Sequence, residues 1–416
     1  MRKSLPATGR SAAELLVELK ARSAADTDWR GGRLPAYIFR GGADDVSDIG
    51  RQAYGFYFTE NALGARRAFP SLVQMEKEII EIGLDLFHAP DGAAGHLSTG
   101  GTESIIMAVK ACRDWTRRRR GDAGHRGNLV MANTAHPAFS KAARLMDLEV
   151  RRTDTAADFR ADPQAIAAAT DDDTIMIVGS APCFPRGVID PIAELGALAE
   201  RRGIWFHVDA CVGGFLAPFA RELGYPVPEF DFALPGVTSL SADLHKYGFT
   251  PKPASTVFFR DAERAAAAMF EIDEWPSGLY AVATIVGTRP GGAVAGAWAT
   301  LHYLGAEGYR REARRLMTLR DRYIAGIEAL PGFRVIGKPD LTLLSFACER
   351  ADPRLVAQSL ARRGWVANLT RDPPGLHLML TIVHENACED YLRDLASAAA
   401  EAAATPKGEA SVSVTY

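Results

Sequence analysis

Cysteine is scarce in this 416-residue chain, and what there is does not cluster. The five cysteines, Cys112, Cys183, Cys211, Cys348 and Cys388, form no CxxC pair. An odd, scattered set argues against a disulfide framework and against a zinc site, and it fits a reducing cytoplasm. Long apolar runs are also missing. No window offers about 18 uncharged apolar residues, so no membrane-spanning helix is expected. The opening MRKSLPATGRSAAELLVELKARSAADTDW has no apolar core of the signal-peptide kind; Leu15, Leu16 and Leu19 lie on one face of a short, otherwise polar helix. Charge of one sign is lacking too. A formal net charge of −3 gives no bulk attraction to nucleic acid or anionic membrane. The basic run Arg117–Arg120 reads as a solvated helix end.

What remains is the composition of a globular protein, 47% hydrophobic and 24% charged, on a chain too long for one simple core. No internal repeat is evident. Residues 1–60 read as a helix followed by loops. Residues 72–88 carry apolar side chains at helical spacing. Short apolar strand candidates then follow at 128–132, 174–179, 204–208, 237–241 and 255–259. Helical stretches lie among them at 103–119, 138–146, 162–169 and 191–202. This alternation predicts an α/β fold with a mostly parallel sheet covered on both faces. Beyond about 310 the rhythm changes. A long helix (307–329), strands near 333–337 and 342–348, a helix near 353–363, strands near 365–369 and 376–381 and a last helix near 386–403 predict a smaller α+β unit. The expected division is an N-terminal segment 1–60, a large domain 61–306, a small domain 307–405 and a polar, poorly ordered tail 406–416.

Four segments carry chemistry. In SLSADLHKYGFTPKPAS (239–255), Lys246 sits between two apolar strands. Burial lowers a lysine pKa and frees the amine as a nucleophile for a Schiff base; an exposed loop lysine is the bland alternative. In IWFHVDA, Asp209 stands at a strand end, where ligand groups of open α/β sheets gather. An acid there can keep a pyridinium nitrogen protonated, although such an Asp is often only a turn residue. Asp209 precedes Lys246 by enough chain for a helix and a further strand to bring both to one sheet edge. In Ser98-Thr99-Gly100-Gly101-Thr102-Glu103-Ser104, small residues at a helix start expose N–H groups and the positive dipole end, which suits a phosphate. A capping box with Thr102 or Ser104 near the N-cap is compatible with that reading. In NTAHPAF, the flat ring of His136 can stack on a pyridine or simply serve the structure.

The order of these signals resembles the fold type I pyridoxal-phosphate (PLP) enzymes, the aspartate aminotransferase superfamily. Within it, TGGTESIIMAVKACRDW (99–115), AHPAFSKAA (135–143), FPRGVIDPIAEL (184–195), HVDACVGGFLAPF (207–219), GVTSLSADLHKYGFTPKPAS (236–255) and WPSGLYAVATIVGTRPGG (275–292) resemble the group II decarboxylase branch, and in it the sphingosine-1-phosphate lyases. The resemblance runs from about 50 to about 310; after that it is architectural. It implies that Lys246 binds PLP as a Schiff base, Asp209 pairs with the ring nitrogen and His136 stacks on the ring. It implies that Thr99, Gly100, Gly101 and Thr102 hold the cofactor phosphate, helped by His245. For the substrate it implies Asn61, Lys252 and Tyr37, the last two on a phosphate. The loop Gly287–Gly292 resembles one that approaches the cofactor phosphate across a dimer interface, so a homodimer is implied. No metal is implied.

Two stretches depart from the pattern. Asn61-Ala62-Leu63 is followed by Gly64 where the family has a phosphate-contacting histidine; Arg66 or Arg67 can replace that contact, since arginine suits phosphate oxygens. The wall stretch Ala181-Pro182-Cys183-Phe184-Pro185-Arg186 differs as well. The reaction implied is carbon–carbon cleavage of a phosphorylated long-chain amino alcohol to a fatty aldehyde and phosphoethanolamine. The alternative is amino-acid decarboxylation with the same Lys, Asp and His. A catalytically silent PLP-fold protein would have lost the lysine or the aspartate, and both are present.

Overall fold

The computed structural model describes residues 2–41 and 44–404, with the side chain of Arg66 excepted. Seven strands build the main sheet: β1 (Ala94–Ser98), β2 (Asn128–Ala132), β3 (Glu149–Thr153), β4 (Thr174–Ser180), β5 (Trp205–Asp209), β6 (Ser239–Ala242) and β7 (Ser255–Phe259). Their order is β1-β7-β6-β5-β4-β2-β3. Neighbours from β3 to β6 are parallel, while β7 runs antiparallel to both β6 and β1. Every residue of β2, β4, β5, β6 and β7 is buried. Such strands need no polar alternation, because both faces are covered. The alternation is instead between two cores. Val130, Ile177, Phe206 and Val208 enter one, and Leu129, Met131, Met176, Val178 and Trp205 enter the other.

A hairpin of β8 (Phe270–Ile272) and β9 (Tyr280–Val282) follows. The C-terminal part holds a second, antiparallel sheet of β10 (Phe333–Val335), β11 (Leu343–Cys348), β12 (Asn368–Arg371) and β13 (Pro374–Met379), ordered β10-β11-β13-β12. Helices Pro353–Arg362 and Cys388–Ala404 pack on it around a core of its own. The α/β class with a smaller C-terminal unit is therefore as the pattern predicted.

The differences have physical causes. β1 (AGHLS) and β3 (EVRRT) lack apolar runs, and both lie at sheet edges, where pairing rather than burial makes them strands. The helix expected at 307–329 is the second arm of a longer one, Gly291–Glu328, which bends at Gly305 (φ 54°). The expected boundary at 306/307 falls beside that bend. The first arm is rich in glycine, which lowers helix propensity by roughly 1 kcal/mol per residue. Close packing overrides this. A Cβ on Gly292 would sit 2.6 Å from the Tyr54 carbonyl oxygen, and one on Gly296 2.9 Å from Pro251. Tyr54 belongs to a second unexpected helix, Asp44–Phe56, whose own Gly50 also meets Pro251. β12 and β13 begin a few residues away from their expected starts. The tail 406–416 lies outside the described residues. Among the described residues, no helix is long and apolar enough to cross a membrane.

Three contacts tie the C-terminal part to the large domain. Arg160 pairs with Asp340 at 2.9 Å. Arg186 donates to Ser345 Oγ at 3.1 Å and to the carbonyl of Asp372. Tyr247, next in sequence to Lys246, donates to the Leu380 carbonyl at 2.7 Å and accepts from Thr342 Oγ1 at 2.5 Å. Tyr247→Phe leaves both groups unmatched in a buried place and should cost about 1–3 kcal/mol of stability, read as a lowered denaturant midpoint with the fold retained.

Candidate active site

The parallel register decides where the polar residues gather. Ser180 at the end of β4 pairs with Asp209 at the end of β5, and Asp209 pairs with Ser241 on β6. The loops leaving this carboxyl edge face one cavity of about 1220 Å³. Its wall includes Thr99, Gly100, Gly101, Thr102, His136, Asp209, His245, Lys246, Lys252 and Tyr37, so ten of the twelve residues singled out from sequence meet there. That volume exceeds the roughly 300–1,000 Å³ usual for a small-molecule pocket.

Asp209 is the last residue of its strand and also starts the turn that follows it. One of its carboxylate oxygens, Oδ1, accepts from Cys211 N at 3.0 Å. Beneath it, the buried His207 contacts Ser239 Oγ at 2.8 Å and Ser241 Oγ at 3.2 Å; burial holds its pKa down at about 4, against the pull of Asp209. Asp190 fixes the neighbouring strand end, accepting from Ser180 N at 2.8 Å and Ala161 N at 2.7 Å, and burial pushes its carboxyl up to about 6. His136 Nδ1 accepts from Ala138 N at 3.2 Å, which leaves the ring proton on Nε2. Burial lowers the His136 pKa and outweighs the nearby Asp209, so the ring is neutral. His245 is likewise lowered by burial, against the opposing charge of Asp243, and its Nδ1 accepts from Ala254 N at 3.1 Å.

The lysine departs from expectation. Burial does push the Lys246 pKa down, but the carboxylate of Asp243, 2.8 Å from Nζ, more than offsets it. The net shift is upward, and the free side chain is an ammonium. Sequence reasoning did not single out Asp243. The residue is 2% exposed, and its other oxygen accepts from Ser255 Oγ at 2.5 Å.

The phosphate-cradle segment also differs in detail. The helix Gly101–Arg120 starts after Gly100 with no side-chain cap, and Thr102 and Ser104 lie inside it. The missed residue is Glu103. Its Oε2 accepts from Thr99 N at 2.7 Å and Thr99 Oγ1 at 2.6 Å, and its Oε1 from Ile285 N at 2.8 Å and Val286 N at 3.0 Å. Both Thr99 donors are thus occupied within the protein, because a buried carboxylate needs them more than solvent does. The first-turn N–H groups of Gly101 and Thr102 have no acceptor within the helix and border the cavity.

Lys252 Nζ donates to the Tyr37 carbonyl at 2.7 Å, and burial lowers its pKa, aided by the charge of Lys246. Tyr37 adopts the left-handed backbone conformation (φ 60°). Asn61 lies outside the cavity wall. Its side chain accepts from Leu63 N and Arg289 N and donates to Thr288 Oγ1 at 3.3 Å, pinning the loop that runs to Gly292. The side chain of Arg66 is outside the described set. A Cβ at Gly64 would meet nothing within 4 Å, so packing does not demand glycine there.

Residues 61–349 match the pyridoxal-dependent decarboxylase conserved domain. A sphingosine-1-phosphate lyase of Oryza sativa subsp. japonica is 38% identical over 95% of this chain and 74% of its own. A probable L-tyrosine/L-aspartate decarboxylase of Methanothermobacter thermautotrophicus is 34% identical over 81% and 91%. The solved structure of a Burkholderia pseudomallei sphingosine-1-phosphate lyase superposes with a TM-score of 0.92 at 35% identity, covering 97% of this chain and 94% of that one. The chain belongs to the sphingosine-1-phosphate lyase branch of the pyridoxal-dependent decarboxylase family.

Its cofactor is pyridoxal phosphate, and the residues present fit that group. Exposed N–H groups at the start of a twenty-residue helix suit the phosphate. Gly101 keeps that helix start close to the site: a Cβ there would stand 2.8 Å from both Asp243 Oδ2 and Cys211 Sγ. Gly101→Ala should therefore displace the first turn and weaken PLP binding at least tenfold in a fluorescence titration, with the global fold unchanged by circular dichroism.

Proposed function

We propose that this protein is a PLP-dependent carbon–carbon lyase, cleaving a phosphorylated long-chain amino alcohol of the sphingosine-1-phosphate type to a fatty aldehyde and phosphoethanolamine. The observation that carries this reading is the joining, in one large cavity, of the Lys246–Asp209–His136 set with the cationic Lys252 and Tyr37. The named relatives support it.

In this reading Lys246 would hold the cofactor covalently, and His136 would lie against its ring. Gly100, Gly101 and Thr102 would cradle its phosphate, leaving Thr99 to serve through Glu103. When bound, the cofactor supplies a sink for the electrons of the bond next to the substrate amine. Asp209 keeps the proton on the ring nitrogen. Lys252, with Tyr37, orients the substrate phosphate by charge. The proton of the substrate hydroxyl passes to a nearby histidine, or to Lys246 Nζ where that group is the neutral amine, and the same group returns a proton to the amine carbon. The remainder of the cavity wall is predominantly apolar, which suits a long hydrocarbon chain.

We also infer a homodimer in the cytoplasm. Phe56, Phe58, Trp275, Leu279 and Ile285 are exposed, and a second copy covering such side chains accounts for them. The loop 287–292 would then reach the neighbouring cofactor phosphate, with Asn61 holding it in shape. The five free, buried cysteines suit a reducing compartment. A second reading, amino-acid decarboxylation, draws on Gly64, which removes one expected phosphate contact.

Incubation with sphingosine 1-phosphate and, separately, with a panel of amino acids separates the two. The lyase reading expects a long-chain aldehyde; carbon dioxide from an amino acid without aldehyde release would overturn it. Lys246→Ala should give colourless protein that stays inactive with added PLP, where the unaltered protein is yellow. Lys252→Met removes one charge-assisted contact and should raise KM for the phosphorylated substrate about 10- to 100-fold, with kcat changed much less.

A further inference from the structure

Lys246 cannot attack a carbonyl while it is an ammonium; the nucleophile is the neutral amine. Nζ must lose a proton before this lysine can capture the cofactor, and again whenever it retakes the cofactor from an amine. The carboxylate of Asp243, 2.8 Å from Nζ, is the group placed to receive it. The other titratable groups facing the pair are poorer acceptors. His245 Nε2 lies 3.7 Å from the same carboxylate oxygen, Oδ2, and its ring is buried and neutral. The Cys211 thiol is buried and protonated. His136 presents a protonated Nε2, and Asp209 acts on the lysine only through space.

Asp243 is also held for the task. Its Oδ1 takes the Ser255 hydroxyl at 2.5 Å; Ser255 meets Ser104 at 2.8 Å, and Ser104 meets Ser98 at 2.7 Å. This buried hydroxyl chain fixes the carboxylate so that Oδ2 faces Nζ. Resting on the reading of Lys246 as the cofactor anchor, we propose that Asp243 accepts the proton that Lys246 sheds to become nucleophilic and returns it when the lysine is released. The Nζ–H bond breaks and an Oδ2–H bond forms. The ammonium becomes an amine and the carboxylate a neutral acid, with no electron gained or lost. The exchange is uphill at rest: against burial, Asp243 holds the Lys246 pKa up while Lys246 and His245 hold the Asp243 carboxyl down, so the neutral pair is a minor form from which capture proceeds.

An internal acceptor has a distinct kinetic mark. When the proton moves within the pair, the share of the neutral pair does not depend on pH as long as the two groups together hold one proton. When the acceptor is missing, the amine must lose its proton to solvent, and its neutral fraction rises tenfold per pH unit below its pKa. The test measures the rate at which PLP-stripped protein regains its yellow colour on adding PLP, from mildly acidic to mildly alkaline pH, for the unaltered protein, Asp243→Asn and Asp243→Glu. The rate ratio of Asp243→Asn to unaltered protein should climb about tenfold per pH unit, and Asp243→Glu, which restores an acceptor, should return the ratio to a flat line. A flat ratio for Asp243→Asn overturns the proposal. So does loss of capture in both variants while both remain folded by circular dichroism, because Asp243 would then only shape the site. Failure of the anchor reading looks different: the unaltered protein would not capture PLP, or Lys246→Ala would still do so.

Discussion

A half-buried lysine ammonium and a buried carboxylate, 2.8 Å apart, set the terms for everything around them. Neither charge is tolerable alone in that place, and breaking such a pair by removing one side typically costs about 3–5 kcal/mol. The surrounding sequence is arranged to keep the pair intact. β6 delivers Asp243 from one side, and β7 supplies the Ser255 hydroxyl that steadies it. Tyr247 anchors the lysine segment to the C-terminal sheet through Leu380 and Thr342. The second sheet therefore acts on the site at a distance: its contact with Tyr247 fixes the backbone from which Lys246 projects.

The same economy governs the other buried acids. Glu103 gathers four donors from two separate loops, and so couples the helix start at Gly101 to the segment at Ile285–Val286. Asp190 takes two backbone N–H groups and ties the end of β4 to the segment at Ala161. Each carboxylate replaces water by donors from stretches far apart in sequence. A cavity wall assembled from many loops becomes, through these acids, a single rigid frame.

Such long-range satisfaction is what the sequence could not display. The parallel core was legible because runs such as TIMIVG and WFHV have no reason to exist outside a doubly covered sheet. Lys246, Asp209 and His136 were legible because each sits just after, or at the end of, one of those runs, where the topology of an open sheet delivers ligand groups. Asp243 and Glu103 stood inside the quoted motifs yet gave no local signal, since an acid near a lysine or in a first helical turn is ordinary. Their roles depend on Ser255 and on Ile285–Val286, 12 and 182 residues away. The first arm of the long helix was hidden for a related reason. Its glycines look like breakers until Tyr54 and Pro251 are seen pressed against them.

Specificity is separable from this frame. The groups facing cofactor chemistry are locked by buried hydrogen bonds, whereas Gly64 borders open space and Tyr37 is half-exposed. Lys252 is the exception on the substrate side, tied by its ammonium to the Tyr37 backbone, so the two move together. Position 64 accepts a side chain without a clash, because a Cβ there meets nothing within 4 Å. The wall stretch at Phe184 is different again: its carbonyl receives the buried His377 ring nitrogen at 2.9 Å, and Arg186 is bound to the C-terminal sheet. Substitution there is constrained by the contact between the two sheets. Change at Gly64 or in the Tyr37 side chain therefore meets little packing constraint, while a change in the wall must be accommodated by β11 and β13 together.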